Sequence, residues 1–159
     1  MRARQTAEAI AAPHGMELRL EPRLRERHYG RFEGRTYEEI ERIDASAYRR
    51  WREREPAFAL PGGGETLLAL HERVEAALRD LARRHAGEMV AVVTHGGVLD
   101  CAFRVATGLA LEAPRTHELL NASLNRIAWR DDAFALVAWA DAAHLVEALD
   151  DVAEARGHP

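Results

Sequence analysis

The chain has 159 residues, 47% hydrophobic and 30% charged, with a formal net charge of −4. This balance suits one folded domain over residues 1–159 and excludes a disordered chain, and the charge creates no global field toward nucleic acid or an anionic membrane. All 22 basic residues are arginine, which excludes a lysine Schiff base and the lysine of a P-loop, while the single cysteine, Cys101, excludes an intrachain disulfide and fits a reducing, cytoplasmic setting.

In chain order, Arg2 to about Ala12 has a helical pattern stopped by Pro13, His14 and Gly15. Met16–Leu20 alternates as a short strand, and residues 21–34 form a charged loop punctuated by glycine. Thr36 to about Glu53 reads as one helix, with Thr36 and Glu39 as a capping box. The segment "EPAFALPGGG" is irregular and serves as a turn entering the next helix. Glu65 to about His85 is the clearest helix, its apolar face running through Leu67, Leu70, Val74, Leu78 and Leu81. Met89–Thr94 is a continuous apolar run, the pattern of a strand covered on both faces. A helix from Val98 to Thr107 ends at Gly108. Leu124–Trp129 and Phe134–Trp139 form a hairpin around Asp131 and Asp132, and a final helix follows His144. Strands alternating with helices predict an α/β fold of three layers, α/β/α, with a mostly parallel sheet. No apolar run approaches the ~20 residues that cross a bilayer, and "MRARQTAEAIAAPHG" lacks the apolar block of a signal peptide. No feature specifies an oligomeric state.

Two stretches carry chemistry. In "VVTHGGVL" a strand ends at Thr94 and His95, and a helix opens through Gly96 and Gly97. A strand end facing a helix amino terminus favours an anion such as phosphate, because free N–H groups and the helix dipole point at it. His95 then holds or moves a phosphoryl group, or is simply structural; Thr94 either bonds that histidine or caps the helix. The second stretch, "LRERHYGRFEGRTYEEI", mixes Arg25, Arg27, Arg31 and Arg35, with Arg23 just before it, among Tyr29 and Phe32. It reads as a nucleic-acid contact, as a solvated loop, or as a loop that turns Glu26 into a pocket to move a proton. Interrupting glutamates keep its net field small, which argues against nucleic acid.

Other chemistries fail on spacing. A cysteine phosphatase needs an arginine six residues after its thiolate, whereas Thr107 stands at that distance from Cys101, so Cys101 reads as core. Neither "HERVE" nor "HELLN" completes HExxH, and the eight histidines show no metal-ligand spacing, so no metal and no cofactor are expected. "PGGGET" is neither a P-loop nor a dinucleotide fingerprint.

Taken in order, these segments resemble the histidine phosphatase superfamily, also called phosphoglycerate mutase-like. "RARQTAEAI" is similar to the helix after that family's first loop, "LRERHYGRFEG" to its L-x-E-x-x-x-G-x-x-E-G segment and "PGGGET" to its PGGES-type turn. "VVTHGGVL" resembles the strand with its second histidine, and "NASLNRI" its later N-x-S element. The resemblance implies phosphomonoester hydrolysis through a phosphohistidine, acting on a small phosphorylated metabolite. It places a phosphate-binding arginine on Arg2, the acid/base on Glu26 and the second histidine on His95, with Gly96 at the phosphate-binding helix start.

One element departs from the family pattern. Its nucleophile lies in an Arg-His-Gly motif on the first strand, and this sequence contains no such motif; His14-Gly15 follows Pro13, after the helix. The resemblance therefore implies a fold incomplete at its amino terminus by a βα unit of roughly 30 residues. On that reading the chain alone is inactive and marginally stable, with unpaired strand edges. Two rival readings are a cofactor-dependent phosphoglycerate mutase, suggested by "ERHYG", and a non-catalytic phosphate-binding pseudoenzyme. The short segment between Arg54 and the glycine turn favours the phosphatase, because mutases carry a long insertion there.

Overall fold

The computed structural model describes residues 2–145, which divide into one compact unit ending at Arg115 and a second beginning at Thr116. In the first unit, α1 (Arg2–Ala11) closes through a 3-10 turn over Ala12–His14, and Gly15 takes the left-handed conformation that ends it. No residue of α1 is buried.

The segment 36–53 folds as two helices rather than one. Thr36 and Glu39 form the expected capping box at the start of α2 (Tyr37–Ile43). Asp44 then leaves the helical region and accepts a hydrogen bond from Ala47 N at 2.9 Å, capping α3 (Ala45–Arg52). A short carboxylate that can bond the backbone ahead of it competes with helix continuation, so the helical period alone misses this break.

Helix α4 (Leu67–Arg84) starts at a Thr66 cap, so "PGGGET" is indeed a turn entering a helix. Its expected apolar face is the core: Leu67, Leu70, Val74 and Ala77 are buried with Leu24, Val98 and Cys101, and Leu78 and Leu81 pack on the same cluster. Each such aliphatic side chain contributes ~1.5–3 kcal/mol when fully buried. Cys101 is fully buried, as its spacing implied, and burial pushes its thiol up to about 12. A second cluster joins Phe32, Ile40, Ala47, Phe58 and Leu60, with Tyr29, Tyr48 and Trp51 at its edge. Helix α5 (Gly96–Thr107) starts two residues before the expected Val98 and ends at left-handed Gly108.

The expected mostly parallel, three-layer sheet is not formed among the described residues. Met16–Leu20 and Met89–Thr94 have no ladder partner there, and neither is a strand. Met89 is wholly exposed, and Val90 and Val92 are 42% exposed, against the expectation of a strand covered on both faces. An extended segment becomes a strand only where a neighbour takes its N–H and C=O groups, and composition cannot supply that neighbour.

In the second unit, β1 (Leu124–Arg130) pairs antiparallel with β2 (Ala133–Asp141), the one ladder among the described residues. Asp131 and Asp132 both have positive φ, 51° and 59°. That is the hairpin turn whose twist matches the strands, and aspartate tolerates it. β2 runs two residues past the expected Trp139. A 3-10 turn covers Ala143–Leu145; residues 146–159, on which the final helix expected after His144 falls, lie outside the described residues.

Candidate active site

The loop that carries Glu26 is fixed from three sides. Leu24 is buried in the α4–α5 core, and Thr94 Oγ1 donates to the Leu24 carbonyl at 2.7 Å. Thr94 therefore does neither of the two things its sequence position suggested; it ties the Glu26 loop to the segment leading into α5. On the second side, Arg73 of α4 donates to the carbonyls of Arg23 (2.6 Å), Arg25 (2.9 Å) and Glu26 (3.2 Å). The same guanidinium grips the Glu65 carboxylate with two bonds, at 2.6 and 2.8 Å. Burial works to raise the Glu65 carboxyl, but Arg73 outweighs it and holds the group below the ordinary range.

The glycine turn supplies the third side. Glu65 N donates to the His28 carbonyl at 2.8 Å, and Arg31 N to the Pro61 carbonyl at 2.7 Å. Gly30 lies at φ +58°, and a Cβ there would come within 2.4 Å of the Pro61 carbonyl oxygen. Only glycine allows these two loops to meet backbone to backbone.

Held in this way, the Glu26 carboxylate reaches the amino end of α5. Oε1 accepts from Arg27 N at 2.8 Å, and Gly97 N points at Oε2 across a long 3.4 Å. A Cβ on Gly97 would lie 2.4 Å from Glu26 Oε1. The glycine is thus required by the closeness of a side chain, and the carboxylate shares its space with free helix N–H groups. His95 is the residue from which α5 starts. It is half-buried, its carbonyl accepts the Leu99 N–H at 2.9 Å, and its ring makes no hydrogen bond to another described residue. Gly96 is the first residue of α5.

The structure therefore brings Glu26, His95, Gly96 and Gly97 to one helix start. Arg2 is exposed on α1, and no hydrogen bond or ion pair joins its side chain to a described residue. Sequence reading missed Arg73, which sits on a helix whose only local signal is its apolar face. It also missed Glu65, although the glycine turn beside it was marked. Burial, together with Glu26 close by, pushes the Tyr29 hydroxyl up to about 12, so it stays protonated as a donor beside the carboxylate. Among the described residues no three histidine, cysteine, aspartate or glutamate side chains gather as a metal site, and no helix is long and apolar enough to cross a membrane.

The sequence profile of the histidine phosphatase superfamily (branch 1) matches residues 1–142, and the chain belongs to that superfamily. It is 36% identical over 148 residues to phosphoglycerate mutase-like protein 4 of Arabidopsis thaliana, covering 92% of this chain and 63% of that protein. The metal-independent phosphoserine phosphatase of the same plant is also 36% identical over 148 residues, covering 91% of this chain and 59% of the relative. The chain thus spans about six-tenths of the length of these curated relatives. Among solved structures, YhfR of Bacillus stearothermophilus superposes with a TM-score of 0.80 at 28% identity, over 91% of this chain and 71% of its own. A mycobacterial glucosyl-3-phosphoglycerate phosphatase gives 0.72 at 27% identity, over 88% and 73%, and it has also been solved with inorganic phosphate. The described residues thus carry the histidine phosphatase fold.

Proposed function

We propose that this chain carries the acid and phosphate-holding part of a phosphomonoester hydrolase that works through a phosphohistidine. The observation that supports it most is the Glu26 carboxylate lying against Gly97, at the helix start that follows His95. In the proposed reaction a histidine nitrogen attacks phosphorus and the P–O bond to the alcohol breaks. Glu26 gives its proton to the departing oxygen, and water then cleaves the P–N bond to release phosphate. His95, Arg2 and the N–H groups at Gly96 hold the phosphoryl oxygens, whose charge grows as the bond breaks. No Arg-His-Gly motif occurs in these 159 residues, so on this reading the chain alone does not turn over. The substrate class is a small phosphorylated metabolite, and the two compact units belong to one domain, as the family match across both of them supports. The finer fold reading, a parallel sheet between two helical layers, belongs with the same proposal.

Mutase activity is the nearer rival, because one relative is named a phosphoglycerate mutase-like protein. Only six residues separate Arg54 from Pro61, which leaves little chain to close over a sugar acid and favours hydrolysis. A non-catalytic phosphate binder draws support from the exposed Arg2, which leaves the phosphate clamp incomplete.

The test compares hydrolysis of an aryl phosphate by this chain and by a form extended with the residues its gene encodes in frame upstream. Turnover should appear only in the extended form, and Glu26→Gln or His95→Ala should each lower it at least 100-fold. Extended protein that hydrolyses equally well with both substitutions would remove Glu26 and His95 from the mechanism. Transfer between phosphoglycerate positions outpacing phosphate release would make it a mutase. Phosphate binding without turnover in any form would make it a binder.

A further inference from the structure

Behind the Glu26 loop lies a small cleft of about 40 Å³ lined by Arg27, Trp51, Arg54, Glu55, Phe58 and Leu67. Arg27 is 9% exposed. Its Nε and Nη2 both donate to the Glu65 carbonyl, at 3.0 and 2.8 Å, and no carboxylate pairs with it among the described residues. Arg54 donates through Nε to the Leu111 carbonyl at 2.8 Å and through Nη2 to Asp100 Oδ2 at 2.6 Å. Asp100 is shared with Arg104, at 3.2 Å. The one carboxylate lining the cleft, Glu55, is held by Arg50 through two 2.5 Å bonds.

Among the described residues Arg54 and Arg104 thus share the Asp100 carboxylate, Arg27 bonds no carboxylate, and Nη1 of both Arg27 and Arg54 has no acceptor. Taking a cation out of water costs several kcal/mol unless an anion compensates it. Burial holds the Arg27 guanidinium below its ordinary range, although Tyr29 and Glu65 pull it the other way. Arg54 also sits at φ +59°, a conformation that strains any side chain other than glycine. Its backbone is held there while its fork is locked on Leu111 and Asp100.

A single water needs roughly 10–15 Å³ of such space, so the cleft has room for about three waters, which a carboxylate or a phosphate ion would displace. Neighbouring side chains divide the work: Glu26 turns to Gly97, Arg27 to Glu65 and the cleft. We infer that Arg27 and Arg54 form a second oxyanion site, separate from the helix start at His95, that takes a carboxylate or an inorganic phosphate. The planar forks suit either oxyanion. The inference does not depend on the roles given to Glu26 and His95.

Trp51 lines the cleft and reports on it. With Trp129 and Trp139 replaced by Phe, the full chain is titrated with acetate or phosphate against chloride at matched ionic strength. A saturable change in Trp51 emission is expected, and Arg27→Met and Arg54→Met should each weaken it at least tenfold, while His95→Ala leaves it unchanged. If a Met variant fails to fold by far-UV circular dichroism, Arg54→Lys keeps charge and stem but loses the fork and should show the same weakening. Saturation by acetate identifies the carboxylate of an organic acid as the occupant, and saturation by phosphate alone the free ion. A response no different from chloride, one that survives the arginine substitutions, or one lost in His95→Ala would overturn the inference.

Discussion

Replacing Arg73 by Met keeps the length of the side chain and deletes its fork. The side chains of Arg73 and Glu65 are 14% and 12% exposed, so the variant leaves a largely buried carboxylate without its partner. Breaking such a pair costs ~3–5 kcal/mol. The three loop carbonyls at Arg23, Arg25 and Glu26 also lose their donor. Each hydrogen bond is worth about 1 kcal/mol net, less where water replaces the donor. Because these terms share one group they do not simply add, and a total of about 4–6 kcal/mol follows. A typical domain has only ~5–15 kcal/mol, so R73M should stand near the edge of folding. Urea denaturation followed by far-UV circular dichroism measures the loss. Adding Glu65→Gln removes the stranded charge and should restore about 2 kcal/mol. A loss under about 1 kcal/mol, or no recovery in the double variant, would refute the claim that this ion pair anchors the Glu26 loop.

Three further outcomes follow from the same geometry. Gly97→Ala puts a methyl group where the Glu26 carboxylate lies; the side-chain end can swing away, so stability should change by no more than about 1 kcal/mol while hydrolysis by the extended form falls ~100-fold, and equal loss in both measurements would contradict it. Burial tends to raise Asp100, yet Arg54 and Arg104 hold it below its ordinary 3.8, and Glu65 is held below 4.5; a depressed folded-state value adds stability that is complete above the unfolded one and is lost as pH falls through the folded one. The urea midpoint should therefore drop on acidification below about pH 4.5, less steeply in Asp100→Asn, and a midpoint that is level down to pH 3 would exclude this. Replacing Val90 and Val92 by Thr should leave the urea midpoint within about 0.5 kcal/mol of the parent and reduce aggregation seen by light scattering, whereas a loss typical of a core valine would mean that these residues are covered.

What was legible in the sequence was local. Thr36 with Glu39, Gly108 after α5 and the Asp131-Asp132 turn each act within four residues, so their spacing announces them. The apolar face of α4 is legible for the same reason. Asp44 hid inside a continuing helical period, since a cap and an exposed helical residue look alike in composition. Pairing at Met16–Leu20 and Met89–Thr94 depends on partners far along the chain, which no local pattern specifies. At the site, Glu26, His95 and Gly96 were marked in advance, whereas Arg73 reaches across 47 to 50 positions to the loop it holds. The Asp100–Arg104 contact is four residues long and readable, but Arg54 joins it from 46 away.

Glu26 owes its position to Thr94, Arg73 and the Gly30–Pro61 contact, all within the first unit. None of these supports draws on Arg2 or α1. If Glu26 is the proton donor proposed above, it requires no rearrangement when a phosphoryl group arrives, and fixed positioning is where much of the rate of such reactions originates. Arg2 has no comparable support, for α1 buries no residue. On the proposed reading the acid and the second histidine are thus built in place, while Arg2, the proposed phosphate ligand, would have to gain its position from other contacts. An arginine placed by such contacts would make phosphate binding, rather than proton transfer, the step most sensitive to how the amino-terminal helix is held.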